Sequence, residues 1–205
     1  MSDKLERKDI DQPKIDWNEH AEYWDDFEEA KHYTKHIVRL LTARIDVENR
    51  TILDFGCGTG LLIDYMTKKA KQIVAVDTSD KMISVLESKN YNNVETINDE
   101  LSKESIIRYP ALQNKFDLIV AVSVCAFLPN YLEVLTTIKS LLKPDGIFIQ
   151  WDWLRTEKDP DFGFTEEMIK DNYDRVGLKV ESVDIPFHMT ENDEKMEVIM
   201  AIGKL

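Results

Sequence analysis

Ile52-Leu53-Asp54-Phe55-Gly56-Cys57-Gly58-Thr59-Gly60 decides the reading of this chain. A short apolar run ends in an acid and gives way to glycines at alternate positions. The apolar part predicts a buried parallel strand. The glycines let the chain turn sharply and lay backbone N–H groups against a ligand before a helix begins near Leu61. The spacing bears on which ligand. A dinucleotide fingerprint has its third glycine three positions after the second, so that a pyrophosphate can sit at the helix N-terminus. Here that position is Leu61, and the third glycine is Gly60. Asp54, just ahead of the turn, would repel a phosphate and attract an ammonium, so the pattern points to a ligand with a cation near the loop.

A second acid lies where a ribose would need it. Ile73-Val74-Ala75-Val76-Asp77 reads as another strand, and Asp77 follows Gly60 by 17 residues. That is close to the interval of about 20 residues expected for the ribose-binding acid of a βαβ unit. On these residues the chain resembles the class I methyltransferases that use S-adenosylmethionine, whose first motif looks like Asp54 to Gly60. The resemblance implies an α/β fold, a Rossmann-like doubly wound sheet of seven strands, mostly parallel with one antiparallel strand near the edge. It also implies an N-terminal helical lid and assigns Asp54, Gly56, Cys57, Gly58, Gly60, Asp77 and Thr78 to the cofactor.

Composition limits the partners. The chain has 205 residues, enough for one α/β domain and too few for two of common size. Its formal charge is −13, and a face that neutralises phosphates needs clustered Lys and Arg, so nucleic acid and anionic membranes are not expected as main partners. A basic groove serving a tRNA, or a protein substrate, stays open as a more distant reading. Two cysteines, Cys57 and Cys125, cannot make a disulfide framework, and they read as reduced thiols of a cytoplasmic protein. Cys57 reads as a small side chain that fits its loop, with a reactive thiol as the alternative. Neither an export signal nor a membrane span is expected.

Residues 1–16 read as a loose tail, and 17–205 as one methyltransferase domain. Within it, 17–44 form N-terminal helices, 51–151 the cofactor-binding core and 152–205 a helix and closing hairpin. Trp17, Ala21, Trp24 and Glu28 recur at helical intervals, and two helices are expected to meet near His32 to Thr34. The resemblance implies that Trp24 covers the cofactor and that Tyr23, Phe27 and Tyr33 cover the acceptor; packing on the sheet is the other reading, and both stay open. Helices are expected at Leu61–Lys69, Lys81–Ser88 behind a Thr78-Ser79-Asp80 cap, Ser102–Ile107 and Tyr131–Leu142. Met82 would sit beneath a bound base. Val94–Ile97 is a third strand, and the resemblance nominates Asp99, with Glu100 beside it, for the adenine amino group. A helix cap is the alternative for Asp99.

Phe116–Val122 is a buried fourth strand ending in Ser123-Val124-Cys125-Ala126-Phe127. Val122 and Ser123 suit a wall beside a sulfonium. The tip lacks the Asn or Asp with two prolines and an aromatic found in methyltransferases of nucleic-acid amines. It also lacks a cluster of hard oxygens, so no metal is expected. Leu141-Leu142-Lys143-Pro144-Asp145-Gly146 matches the family's segment before its fifth strand, Ile147–Trp151. Phe127, Trp151, Trp153 and His188 are candidates for the acceptor pocket. Another helix runs from about Thr165 to Gly177. Lys179–Pro186 and Lys195–Lys204 read as strands joined by a loop over 187–194.

These readings predict methyl transfer by in-line displacement to a small organic acceptor, with no catalytic residue assignable and the choice between monomer and homodimer open. An NAD-dependent oxidoreductase is disfavoured by Leu61 and by the acid before the loop. A cofactor-binding module that regulates a partner without catalysis is the third reading.

Overall fold

The computed structural model describes residues 16–191 and 194–205, so the tail expected over 1–16 lies, Asp16 apart, outside the described residues. One seven-stranded sheet organises the chain, in the order β3-β2-β1-β4-β5-β7-β6. Its strands are β1 (Thr51–Phe55), β2 (Gln72–Asp77), β3 (Val94–Asn98), β4 (Phe116–Val122), β5 (Leu142–Trp153), β6 (Lys179–Glu191) and β7 (Glu194–Lys204). β1 to β5 are parallel to one another, and β7 runs against both β5 and β6. The single antiparallel strand thus lies one place in from the edge, as expected.

The parallel strands are apolar on both sides because both faces are covered. Leu53, Phe55, Val74, Ile119, Ala121 and Phe148 face α5 (Tyr131–Leu141) and α6 (Glu166–Val176). Ile52, Ile73, Ala75, Val120 and Ile149 face α1 (Glu28–Arg44), α2 (Ile63–Met66) and α3 (Asp80–Ser88). Ile37 and Leu41 of α1 are fully enclosed, and burying each contributes about 1.5–3 kcal/mol. That burial fixes the helix that carries Tyr33.

Several local expectations change. The N-terminal region is not two helices meeting near His32. It is two 3₁₀ turns, Trp17–Glu19 and Ala21–Asp26, followed by α1, which runs through 32–34 without a break. The break falls at Phe27, whose extended ψ of 118° ends the second turn. The helix expected over Leu61–Lys69 narrows to the four residues of α2, flanked by turns. Ser102, bonded reciprocally to Ser105, caps α4 (Lys103–Arg108), so Asp99 is not the cap. β5 starts at Leu142, and a register shift absorbs Lys143 to Gly146. The loop expected over 187–194 is mostly strand: β6 continues to Glu191, and β7 begins at Glu194.

Candidate functional site

β1 lies between β2 and β4, so the crossovers on either side of it leave in opposite directions and open a crevice at the carboxyl ends of the strands. The glycine loop fills that point. Gly56, Gly58 and Gly60 have φ of +71°, +52° and +84°. Gly56 and Gly60 also serve packing: a Cβ on Gly56 would lie 2.6 Å from Val124 Cβ, and one on Gly60 would lie 2.5 Å from Leu86 Cδ1. Gly58 is different. The nearest atom to a Cβ there is Met82 Sδ at 3.9 Å, an ordinary contact, so no close packing holds this position to glycine.

Two acids flank the loop. Asp54 is 2% exposed, and its Oδ2 has no hydrogen-bond partner among the described residues. Burial, reinforced by the charge of Asp77, pushes its pKa up to about 7. Asp77 accepts from the Ser79 N–H at 2.9 Å through Oδ1 and from the Gly58 N–H at 2.8 Å through Oδ2. Burial still raises its pKa from the ordinary value, against the effect of those bonds. A carboxylate oxygen accepts more than one hydrogen bond, so acceptor capacity remains for ribose hydroxyls. Thr78 is exposed beside it, and Met82 is buried in the first turn of α3, which Ser79 caps as the sequence suggests. Cys57 is buried with its thiol pKa pushed up, which fits the small-side-chain reading and not a reactive thiolate. Asp99 pairs with Arg108 at 2.5 Å and accepts from the Glu100 N–H, so a base reaching it would share an occupied carboxylate; Glu100 itself is exposed.

The two 3₁₀ turns form a strap across these loops. Asn18 Oδ1 accepts from the Ser79 hydroxyl at 2.5 Å, and Asp25 Oδ1 accepts from the Thr59 hydroxyl at 2.5 Å. The other oxygen of Asp25 meets Lys89 at 2.9 Å, and Lys89 also holds Asp64 at 3.0 Å. Trp24 lies edge-on between Trp17 and Phe27. Trp17 in turn meets Phe127, which contacts Phe162. The strap is therefore fastened both to the glycine loop and to the turn after β2. Two surface hollows, one around Asp64, Thr67 and Tyr91 and one around Thr42 to Val47, touch neither loop.

On the other side of the crevice the structure brings Tyr33 and Ser123 together, the Ser123 hydroxyl donating to the Tyr33 oxygen at 2.9 Å. Ser123 has φ of +51°, an uncommon conformation for a residue with a side chain and the kind of strain that gathers at functional sites. Burial, more than anything else, raises the Tyr33 pKa far above the usual phenol range. Trp153 and Phe187 each lie 5.6 Å from the Tyr33 ring. Val122, half-buried, ends β4 beside them.

Some expected pocket residues are not there. Trp151 is fully enclosed in the core beneath α1, deeper on the same face of β5 as Trp153, and its indole N–H has no partner among the described residues. Tyr23 is 57% exposed and faces solvent on the strap; Phe27 at 42% and Phe127 at 39% sit on the rim. His188 is exposed on β6, where it neighbours His36 instead of the glycine loop. Phe187 escaped notice in the sequence, although a strand running past Pro186 would have placed it. Gln150 and Asp152, both fully enclosed, were missed too. The signal was polar residues at alternate positions of Gln150-Trp151-Asp152-Trp153, in a strand covered on both faces.

An open α/β sheet of this order, with a glycine turn and two strand-terminal acids at its switch point, defines the Rossmann-like class of nucleoside-binding domains. The profile of the family described as "Methyltransferase domain" matches residues 26–176, and the chain belongs to that family. Among curated proteins it is 36% identical over 106 residues to the malonyl-acyl-carrier-protein O-methyltransferase of Halalkalibacterium halodurans, covering 50% of this chain and 38% of that one. It is 25% identical over 109 residues to a ubiquinone biosynthesis O-methyltransferase of Coxiella burnetii, covering 53% and 46%. The chain thus spans less than half the length of these relatives. Among solved structures, a putative methyltransferase of Haloferax volcanii in complex with the Trm112 activator superposes with a TM-score of 0.73 at 14% identity, covering 92% of this chain and 96% of that one. The N-methyltransferase NodS of Bradyrhizobium japonicum, crystallised with S-adenosylhomocysteine, gives 0.67 at 16%, covering 92% and 98%. At these identities the superpositions establish a shared fold.

Proposed function

We propose that this chain is an S-adenosylmethionine-dependent methyltransferase that transfers a methyl group by in-line displacement to a small organic acceptor. The observation that carries this reading is Asp54, a buried carboxylate with an oxygen that nothing among the described residues satisfies. A positively charged ligand end would meet that need, and a pyrophosphate would worsen it. The other donors and spaces fit the same group. Gly58 leaves room for close approach, Asp77 has acceptor capacity for a ribose, and Met82 borders the gap where a base would lie. Trp24, Thr78, Asp99, Glu100, Val122 and Ser123 complete the proposed surround. The curated relatives named as O-methyltransferases, and NodS with its bound S-adenosylhomocysteine, support the same cofactor.

When bound, S-adenosylmethionine supplies a methyl group already activated on a sulfonium. The chain's residues then have to align the acceptor and exclude water. A carboxylate against sulfur would favour the ground state over a transition state in which positive charge is being lost. Asp54 and Asp77 accordingly serve binding, and no triad is needed. The strap, fastened at Asn18 and Asp25, excludes water, while Tyr33, Ser123 and Trp153 border the acceptor. In this reading 17–205 work as one methyltransferase domain. Among the described residues no helix is long and apolar enough to cross a membrane, and two buried thiols support a cytoplasmic location.

The test is transfer from methyl-labelled S-adenosylmethionine to a panel of small alcohols, phenols, amines, thiols and carboxylic acids. Label on at least one acceptor, matched mole for mole by S-adenosylhomocysteine, is expected. Reduction of NAD by the same panel without label transfer would replace this reading with the oxidoreductase.

A further inference from the structure

Beneath the proposed acceptor site lies a line of polar groups that the cofactor reading leaves unused. Tyr131 of α5 and Tyr173 of α6 donate to Gln150 Oε1 at 2.5 and 3.1 Å. Gln150 Nε2 donates to Asp152 Oδ2 at 3.3 Å, and the Ala126 N–H donates to Asp152 Oδ1 at 3.0 Å. The thiol and backbone N–H of Cys125 also reach Asp152. All of this lies in the interior, with Gln150 and Asp152 at 0% exposure. The line joins two helices and a strand to the 3₁₀ turn Cys125–Phe127.

That turn is where the parts of the site meet. Ser123, just before it, holds Tyr33; Val124 packs where a Cβ on Gly56 would go; Phe127 supports Trp17 of the strap. We infer that Asp152 is a positioning residue: it clamps segment 123–127 from below and so sets the acceptor wall relative to the glycine loop and the strap. A buried carboxyl with backbone donors converging on it is costly unless those bonds are made, so the segment is held in one arrangement. Opening the segment would hydrate Asp152, whose pKa burial lifts to about 8. The closed form therefore holds a proton that the open form releases, and closure weakens as pH rises toward 8. The groups facing Asp152 are Gln150, Cys125, Tyr131, Tyr173 and, from α1, Tyr33. Burial holds the thiol and the three phenols neutral through this range, so they add no charge of their own.

That Asp152 serves methyl transfer rests on the reading above; the clamp itself is tested without an acceptor. Amide hydrogen exchange on the full chain, corrected for intrinsic rates, is followed from pH 5 to 8 in the wild type, Asp152→Asn and Asp152→Ala. In the wild type, protection of 124–127 is expected to fall with pH, while in Asp152→Asn it stays flat. At pH 6 Asp152→Ala is expected to exchange about tenfold faster at 124–127, with β1 and β4 unchanged, and Asp152→Asn to restore most of the loss. Flat protection in the wild type, or uniform acceleration over the whole core in Asp152→Ala, would overturn the inference. Should Asp152→Ala not fold, the wild-type and Asn profiles still decide it. Calorimetry with S-adenosylhomocysteine separates the two ideas: absence of binding by the wild type sinks the cofactor reading and leaves the clamp to its own result.

Discussion

Ser123 and Tyr33, ninety positions apart in sequence, share a hydroxyl hydrogen bond of 2.9 Å where β4 ends beneath α1. The bond ties the strained tip of the central strand to the helix that follows the strap. Tyr33→Phe removes it without removing the ring, so Trp153 and Phe187 keep their contacts. The expected stability loss is about 1 kcal/mol. Affinity for S-adenosylhomocysteine should stay within about twofold, while kcat/KM for an acceptor found in the panel falls about tenfold or more, since only transition-state alignment is lost. Steady-state kinetics beside calorimetry checks this; a loss confined to the cofactor would place Tyr33 elsewhere.

The loop glycines divide by what a methyl group would meet. Gly60→Ala drives a Cβ to within 2.5 Å of Leu86 in a left-handed backbone, and should destabilise the fold by about 2 kcal/mol or more. Gly58→Ala makes only an ordinary contact with Met82, so its stability cost should be limited to backbone strain of about 1 kcal/mol, with the larger effect on cofactor affinity. Urea denaturation and calorimetry on both variants give the comparison. Equal stability losses with equal affinities would refute the division.

If Asp54 meets the cation of the proposed cofactor, affinity should depend on pH. With its pKa near 7 in the free protein, the group is part protonated at neutrality. A bound cation favours the carboxylate, so binding should release a proton, and affinity should rise between pH 6 and 7.5. Titrations in buffers of different ionisation enthalpy measure the release. Asp54→Asn should bind more weakly and with no such proton.

Asp152 makes stability depend on pH in the opposite sense. An aspartate ionises near 3.9 in an unfolded chain and near 8 here. Between those values the folded state holds a proton that the unfolded state has lost, so stability falls as pH rises from about 4 to about 8 and stays at its lower level above that. Urea midpoints measured from pH 5 to 9 should decline, and Asp152→Asn should flatten part of the decline. Asp54, shifted the same way, accounts for a further part.

The glycine loop and the strand-terminal acids were legible because their chemistry is local: turns that need left-handed backbone take glycine, and strands buried on both faces read as unbroken apolar runs. The seven-stranded sheet with one antiparallel strand near its edge came from the family resemblance, since apolar runs mark strands without giving their order. The site beyond the cofactor was less legible. Trp151 and Trp153 look alike in sequence and share one face of β5; Trp151 is fully enclosed, while Trp153, the last residue of the strand, is only half-buried and reaches Tyr33, a difference of depth that the pattern does not show. The strap's aromatic spacing fits an α-helix as well as 3₁₀ turns, so the break at Phe27 had no clear signal. Asn18 meeting Ser79, and Asp25 meeting Thr59, are long-range pairings that spacing cannot show.

Calorimetric titration of S-adenosylhomocysteine and of NAD into the wild type and Asp77→Ala addresses the central claim most directly. The account predicts that the wild type binds the adenosyl compound and not NAD. It also predicts that Asp77→Ala stays folded and binds about 30-fold more weakly, the scale of a lost hydrogen-bonded charge. Undiminished affinity in Asp77→Ala, or binding of NAD in place of the adenosyl compound, would contradict it.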